Sequence, residues 1–442
     1  MLAWDMRLGK TAAALRAWEA TKSLGALLVI CPMTVCENWK REAARFCVSS
    51  PVVQILKQTK QKVDPAADIV IVNYDKFINT DLRQTLLQNA NRGHWGALVL
   101  DEAHYLKTAA AERTKHIFGN SKHERHISAP LIKCAKRVWE LTGTPMPNHP
   151  GELWTHCRHL YPEAIQYQGH TMEEWEFELR YCVLQQTEYG MKIVGGKNLM
   201  ELKGRLEPYV SRLRERDVYP DGAPVHRRID SWPLDMGIDH KFPDLPALVT
   251  TLHQTYGSFG AIDQFDQATI DAYLRTINAE HDQVATIRRA VGTLKAIAVT
   301  LLVREELENG GPKTVVFAHH RDAIETLQKG LQIFKPAVIH GDVTGDARQA
   351  EIDRFASDPT CQVFIGQTQA SGVGIDLSAA SNVVFCEAEW SPGENAQAMA
   401  RVLGPNQKAP AVLIRFAYLA GSIDEAVARA LARKTAMIDQ VF

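Results

Sequence analysis

Two separate series of short, β-branched apolar runs constrain this chain more than any other feature. The first comprises ALLVICP at 26–32, DIVIVNY at 68–74 and ALVLDEAH at 97–104, divided by amphipathic stretches such as 11–22 and 37–46. Strands apolar on both faces need cover on both sides, which a parallel sheet between helices provides. The second series begins with KTVVFAHH at 313, continues through PAVIHGD at 336–342 and QVFIGQT at 362–368, and ends with NVVFCEAEW at 382–390 and AVLIRFAYL at 411–419. The expected fold is therefore α/β, with two parallel-sheet lobes. Residues 151–230 are richer in aromatic and charged side chains, and roughly 240–310 has helical apolar spacing. Helical insertions are expected at about 151–218 in a first lobe, 1–218, and at about 240–310 in a second, 219–442. No repeat of 20–50 residues is visible.

Composition narrows the class. The 442 residues exceed one ordinary core, and 45% hydrophobic with 23% charged residues is a globular balance. Fifty Lys plus Arg against 51 Asp plus Glu leave a net charge of -1, so any nucleic-acid site must be a local patch. The eight cysteines form no CxxC pair, which points to buried thiols in a reducing compartment and away from zinc. No apolar signal core or membrane-length run occurs, so no membrane is expected as a partner. A cytoplasmic protein, bacterial or in a phage-infected host, or a nuclear one if eukaryotic, is the expectation.

Chemistry concentrates in a few places. Gly9, Lys10 and Thr11 have the character of a nucleotide phosphate loop: backbone N–H groups open a helix, Lys10 reaches phosphate oxygens, and Thr11 can ligate magnesium. Alone, Gly-Lys-Thr is only a helix start with an exposed lysine. LVLDEAH supplies its complement, with Asp101 placed to hold magnesium and Glu102 to orient a water. LTGTPMPN at 141–148 offers hydroxyls at a strand-to-loop turn, suited to relaying nucleotide state. Later, QTQASGVGIDLSAA and QAMARV bring glycines that let backbone approach phosphate, Asp376, Gln397, and an arginine, Arg401, able to stabilise charge on a γ-phosphate.

In this order, the segments resemble those of a superfamily 2 helicase of the Swi/Snf-type DNA translocase branch, particularly the compact annealing-helicase and phage-encoded forms. The specific marks are DMRLGKT, ICPMTVCENWKREAARF, VLDEAHYLK, LTGTPMPN, LKGRLEPYVSRLRERDV, HGDVTGDARQAEIDRF and ASGVGIDLSAASNVVFCEAEWSPGENAQAMARV. The resemblance covers nearly the whole chain. It implies two RecA-like lobes, ATP with Mg2+ in the cleft between them, and translocation on duplex or branched DNA. It also implies a nucleotide site of Leu8, Gly9, Lys10, Thr11, Gly374, Asp376, Gln397 and Arg401, with Lys10, Asp101, Glu102 and Arg401 catalytic and Thr11 and Asp101 on the metal. DNA contacts would come from Pro32, Thr34, Trp39, Thr142, Asn148, His319, His340, Gly341, Ser371 and Gly372. Basic clusters at 122–137 and at Arg205, Arg212, Arg214, Arg216, Arg227 and Arg228 are further candidates, against a solvated-surface alternative.

Three departures from the family pattern carry expectations of their own. Arg7 stands where the family's first-loop glycine would be, and Gly404 where the last motif has a second arginine. Only eight residues precede Gly9, which leaves no upstream adenine-contacting glutamine in its usual place and suggests a shortened product. Arg348 is a candidate to compensate for Gly404. An alternative is a nucleotide-gated DNA-binding or scaffold protein with weak hydrolysis; another is the motor half of a complex with a separately encoded nuclease or replication protein.

Overall fold

The computed structural model describes residues 1–91, 95–119, 130–187, 190–219, 225–234, 281–343, 345–368, 375–404, 406–419 and 423–442. The chain divides into two compact units, Met1–Pro220 with Ala436–Phe442, and Asp221–Thr435.

The first unit is built on a seven-stranded parallel sheet, in the order Ser211–Leu213, Leu2–Trp4, Val138–Leu141, Ala97–Asp101, Leu27–Cys31, Ile69–Asn73, Val53–Ile55. Side chains alternate across its faces. Leu27, Val29, Ile69, Ile71, Ala97 and Val99 pack with Leu15, Trp18, Trp39 and Ala43 of helices Lys10–Ala20 and Cys36–Phe46. Leu28, Ile30, Val70, Val72, Leu98 and Leu100 point the other way, onto Phe77, Leu82, Leu86, Ile117 and Phe118. The central strands are buried on both faces, and each such side chain contributes roughly 1.5–3 kcal/mol. Four further strands, Leu2–Trp4, Val53–Ile55, Val138–Leu141 and Ser211–Leu213, complete the sheet that the three apolar runs outlined. Leu2–Trp4 feeds the Gly-Lys-Thr loop, and Ser211–Leu213 pairs with it from within the arginine-rich segment.

The segment expected to be a helical insertion is helical only in part. Helices Trp154–Leu160, Glu174–Tyr181 and Leu199–Leu206 are joined by an antiparallel ribbon of Cys182–Thr187 and Gly190–Gly196. Trp154, Phe177, Tyr181 and Leu202 form a satellite core with Met437, Val441 and Phe442.

The second unit has a six-stranded parallel sheet, ordered His226–Leu234, Ala411–Leu419, Asn382–Phe385, Thr314–Ala318, Val363–Gln367, Ala337–Ile339. Pro233 is tolerated because its strand lies at the sheet edge. One face packs on Ala296, Val299, Val303 and Leu307 of the 28-residue helix His281–Glu308, and the other on Phe355, Ala398 and Val402. That helix accounts for the later part of the 240–310 expectation; 240–280 lies outside the described residues. No described helix is long and apolar enough to cross a membrane.

Candidate phosphate-binding site

The strand Leu2–Trp4 ends in a loop held from both sides. The Asp5 N–H donates to the Leu213 carbonyl at 2.8 Å, its carboxylate accepts Arg212 Nη2 at 2.8 Å, and the Glu215 N–H donates to Asp5 Oδ2 at 3.0 Å. The arginine-rich segment is thus a clamp on the loop. Gly9, at φ 82°, starts the helix Lys10–Ala20 in a left-handed conformation, and a Cβ added there would meet no atom within 4 Å. The helix has no side-chain cap and no acid in its first turn, so its positive end is not offset by a side chain of its own. Arg7 is also left-handed, at φ 64°. This explains why glycine suits that position: a side chain in this region costs about 1–2 kcal/mol.

Lys10 Nζ donates to the carbonyls of Trp4 at 2.9 Å and Asp5 at 3.1 Å. Burial lowers its pKa, and the nearby charges of Glu102, Asp101 and Asp5 oppose that shift. The lysine of the loop and the acids of DEAH therefore share one electrostatic environment. Asp101 ends a strand buried along its length, and burial pushes its carboxyl up to about 7, with Glu102 adding to the effect. Its oxygens accept the Trp39 indole N–H at 2.7 Å and the Glu102 N–H at 3.0 Å, while Tyr74 Oη donates to its backbone carbonyl at 2.9 Å. Glu102 itself sits in the left-handed region at φ 51°, so the chain turns sharply between the two acids.

His104 joins this pair to LTGTP. Its Nδ1 lies 3.2 Å from both Thr142 Oγ1 and Thr144 Oγ1, and 3.4 Å from Glu102 Oε2. Burial lowers the His104 pKa to about 4, so the ring is neutral near pH 7 and its contact with Glu102 is not an ion pair. Beyond it, Lys107 Nζ meets Glu152 at 2.7 Å, and Glu152 accepts the Asn148 N–H and side-chain amide at 2.7 and 2.8 Å.

Two residues expected to contact DNA have their side-chain polar groups engaged within the fold. Trp39 is 1% exposed and its only polar side-chain atom is directed at Asp101. Thr142 is fully buried, with its hydroxyl engaged by His104 and the Thr144 N–H. Pro32 is buried and Thr34 exposed on the turn Met33–Val35, while Asn148 is half-buried. Residues that sequence reasoning missed are Arg212 as the loop clamp, His104 as the link, and Tyr74 beneath Asp101. The DEAH histidine was the one with a visible signal, its fixed place after the acids.

In the second unit the structure brings His319 and Gly341 together. Gln367 Nε2 donates to the His319 carbonyl at 3.1 Å and its Oε1 accepts the Gly341 N–H at 3.1 Å; His340 Nδ1 lies 3.4 Å from the Asp342 nitrogen. Asp376 accepts the Ser378 N–H at 3.0 Å and the Asn406 amide at 2.7 Å. Gln397 is buried and Arg401 half-buried on helix Pro392–Val402, and the Arg401 carbonyl accepts the Leu377 N–H at 3.0 Å. Arg348 is half-buried. Gly404 is buried in a turn closed by Gln407, whose N–H donates to its carbonyl at 2.8 Å. Ser371, Gly372, Gly374 and residues 122–129 of the basic cluster lie outside the described residues.

Comparison with known proteins agrees with these landmarks. Residues 1–220 match the SNF2-related domain, and 295–403 match the helicase conserved C-terminal domain. The chain is 27% identical over 445 residues to the DNA annealing helicase and endonuclease ZRANB3 of Mus musculus, covering 98% of this chain and 38% of that protein. It is 29% identical over 452 residues to the SWI/SNF-related matrix-associated actin-dependent regulator of chromatin subfamily A-like protein 1 of Drosophila melanogaster, covering 100% and 53%. It thus spans between about a third and a half of the length of these two relatives. The Sulfolobus solfataricus SWI2/SNF2 ATPase core in complex with dsDNA aligns over 100% of this chain and 88% of its own at 19% identity, with a TM-score of 0.41, too low to bear on the fold. With an SNF2-related domain followed by a helicase C-terminal domain, and with the phosphate loop and DEAH acids meeting in one environment, the chain belongs to the Swi/Snf-type family of superfamily 2 helicases.

Proposed function

We propose that this chain is a DNA-stimulated ATPase that translocates on duplex or branched DNA. The observation that carries this is the shared environment of Lys10, Asp101 and Glu102 at the carboxyl edge of a parallel sheet, below an uncapped helix start. Lys10 exchanges its contacts with the Trp4 and Asp5 carbonyls for nucleotide phosphate oxygens, and the open space at Gly9 lets backbone approach them. Among the described residues no three His, Cys, Asp or Glu side chains gather as a metal cage. That fits magnesium, which rests on one or two protein oxygens plus phosphates; Asp101 and Thr11 are the residues that would hold it. Bound there, it would neutralise charge on the phosphates. Glu102 orients the attacking water, Arg401 stabilises charge on the γ-phosphate, and Leu8, Asp376 and Gln397 complete the nucleotide contacts.

DNA contact is assigned to exposed or half-buried groups: Thr34, Asn148, His319, His340 and Gly341. ATP turnover measured with and without duplex DNA tests the assignment. Stimulation by duplex is expected, and Lys10→Ala should reduce turnover to background; equal rates with and without DNA, or an unaffected Lys10→Ala variant, would reject it. Forked and single-stranded substrates compared in the same assay rank the DNA structures. A separately encoded nuclease or replication protein is a proposed partner, checked by co-purification.

One observation favours an alternative, a nucleotide-gated DNA-binding protein with weak hydrolysis. The position expected to carry a second arginine is a buried glycine in a closed turn. ATP that tightens DNA binding while turnover stays at background would select this alternative.

A further inference from the structure

All eight cysteines are free and buried, but two of them touch. Cys31 ends the strand Leu27–Cys31, Cys36 opens the helix Cys36–Phe46, and their Sγ atoms are 3.6 Å apart. No other sulfur–sulfur contact occurs among the described residues. The short turn Met33–Val35 joins them, so closing the pair requires a small movement of one helix end rather than a rearrangement of the sheet. Cys36 is the more accessible member, at 7% against 0% for Cys31.

We propose that Cys31 and Cys36 form a peroxide-sensitive dithiol switch beside the phosphate site. Peroxide oxidises the Cys36 thiolate to a sulfenic acid, transferring one oxygen and releasing hydroxide. The Cys31 sulfur then attacks the Cys36 sulfur, an S–S bond forms, the S–O bond breaks, and the sulfenic oxygen leaves as water with the Cys31 proton. Two thiols and one hydrogen peroxide become one disulfide and two waters. The chemistry of the pair fits these roles: the interaction between the two sulfurs lowers the pKa of Cys36, at a helix N-terminus, and raises that of Cys31.

The switch has a physical outlet. Three residues along the same helix, Trp39 donates its indole N–H to Asp101 Oδ2 at 2.7 Å. Closing the pair moves the first helical turn and so changes the geometry of that donor at the carboxylate. The effect on nucleotide binding rests on the function proposed above, whereas the covalent step does not.

Both cysteines lie in one tryptic peptide, Ser23–Lys40. After brief hydrogen peroxide treatment of the full chain and thiol alkylation under denaturing conditions, that peptide should appear without alkyl groups and two hydrogens lighter. Prior dithiothreitol should restore both labels. Cys31→Ser should instead leave Cys36 as a sulfenic or sulfinic acid, and Cys36→Ser should leave Cys31 fully alkylated. A peptide that keeps both labels while other cysteines oxidise, or a native chain in which Cys36 ends as sulfinic acid, would overturn the switch. Binding of a fluorescent ATP analogue should weaken about tenfold on oxidation, the scale for losing a partner of a metal-binding carboxylate, and should not change in Cys36→Ser. A closed peptide with unchanged analogue affinity would overturn the outlet through Trp39; no analogue binding in the reduced chain would overturn the proposed function alone.

Discussion

Each unit buries a carboxylate near the end of a central parallel strand, and the two are treated in opposite ways. In the first, Asp101 is fully engaged by neutral donors, yet burial and the adjacent Glu102 push its pKa up to about 7. In the second, Glu387 follows the strand Asn382–Phe385 and accepts the His319 and His320 N–H groups at 2.8 and 2.9 Å and His320 Nδ1 at 2.6 Å. Burial still raises its pKa as the largest single effect, but these donors and the neighbouring histidine overcome it, and the net shift is downward. The first carboxylate is under-neutralised, as a cation site should be; the second is saturated, as a structural one is.

The largest effect should come from the first unit. Glu102→Gln keeps the volume beside Asp101 and removes the group assigned to the water. DNA-stimulated turnover should fall by about 10²–10⁴-fold, the usual span for a positioned acid or base, with ATP-analogue binding retained. Unchanged turnover would reassign the role of Glu102. Asp101→Asn, by contrast, removes a charge that burial penalises but turns one of two accepting oxygens into a donor facing the Trp39 or Glu102 N–H; the two effects largely offset, and the unligated chain should lose about 1 kcal/mol or less in urea.

Glu387→Ala should be the costlier change. It strands two backbone donors and the imidazole of His320, at a cost of about 3 kcal/mol. Because the folded pKa of Glu387 lies below its usual 4.5, its contribution is present above that value and lost as pH falls through the folded one. Acid unfolding of the native chain should therefore be steeper there than in Glu387→Gln. Equal stability losses for Asp101→Asn and Glu387→Ala would break the contrast between the units.

Trp39→Phe probes the shorter of the two hydrogen bonds that the Asp101 carboxylate accepts. Loss of a hydrogen bond to a buried carboxylate costs about 2 kcal/mol, read by urea denaturation, and nucleotide affinity in magnesium should fall with it. A variant as stable and as tight as the native chain would return Trp39 to simple packing.

Much of this was legible beforehand, for reasons that can be stated residue by residue. Runs such as Leu27–Cys31 and 315–318 are apolar throughout because both faces of a parallel strand are covered, and a continuous run is visible in one dimension. Leu2–Trp4 and Ser211–Leu213 were invisible because three residues carry no period, and only the pairing of the two makes them strands. The Lys10, Asp101 and Glu102 group was readable because its chemistry is confined to a few residue types. The bond from Trp39 to Asp101 is not legible in the sequence, because a helix pattern does not say which atom an indole N–H meets 62 positions away. The ribbon at 182–196 was masked by the helix-like composition of its neighbours.

The smallest effect concerns backbone strain, and it separates the units once more. Arg7 in the phosphate loop and Lys335 after the turn Gln332–Phe334 both hold left-handed conformations, at φ 64° and 49°. Glycine at either position relieves about 1–2 kcal/mol of strain but frees the unfolded chain by roughly 0.5–1 kcal/mol, so each substitution should stabilise by no more than about 1.5 kcal/mol. The melting temperatures of Arg7→Gly and Lys335→Gly should therefore rise slightly and alike. Nucleotide affinity should respond only in Arg7→Gly, because only that loop meets Lys10. A matching change in affinity for Lys335→Gly would mean that strain in the second unit also reaches the phosphates, and the division of labour drawn from Asp101 and Glu387 would have to be abandoned.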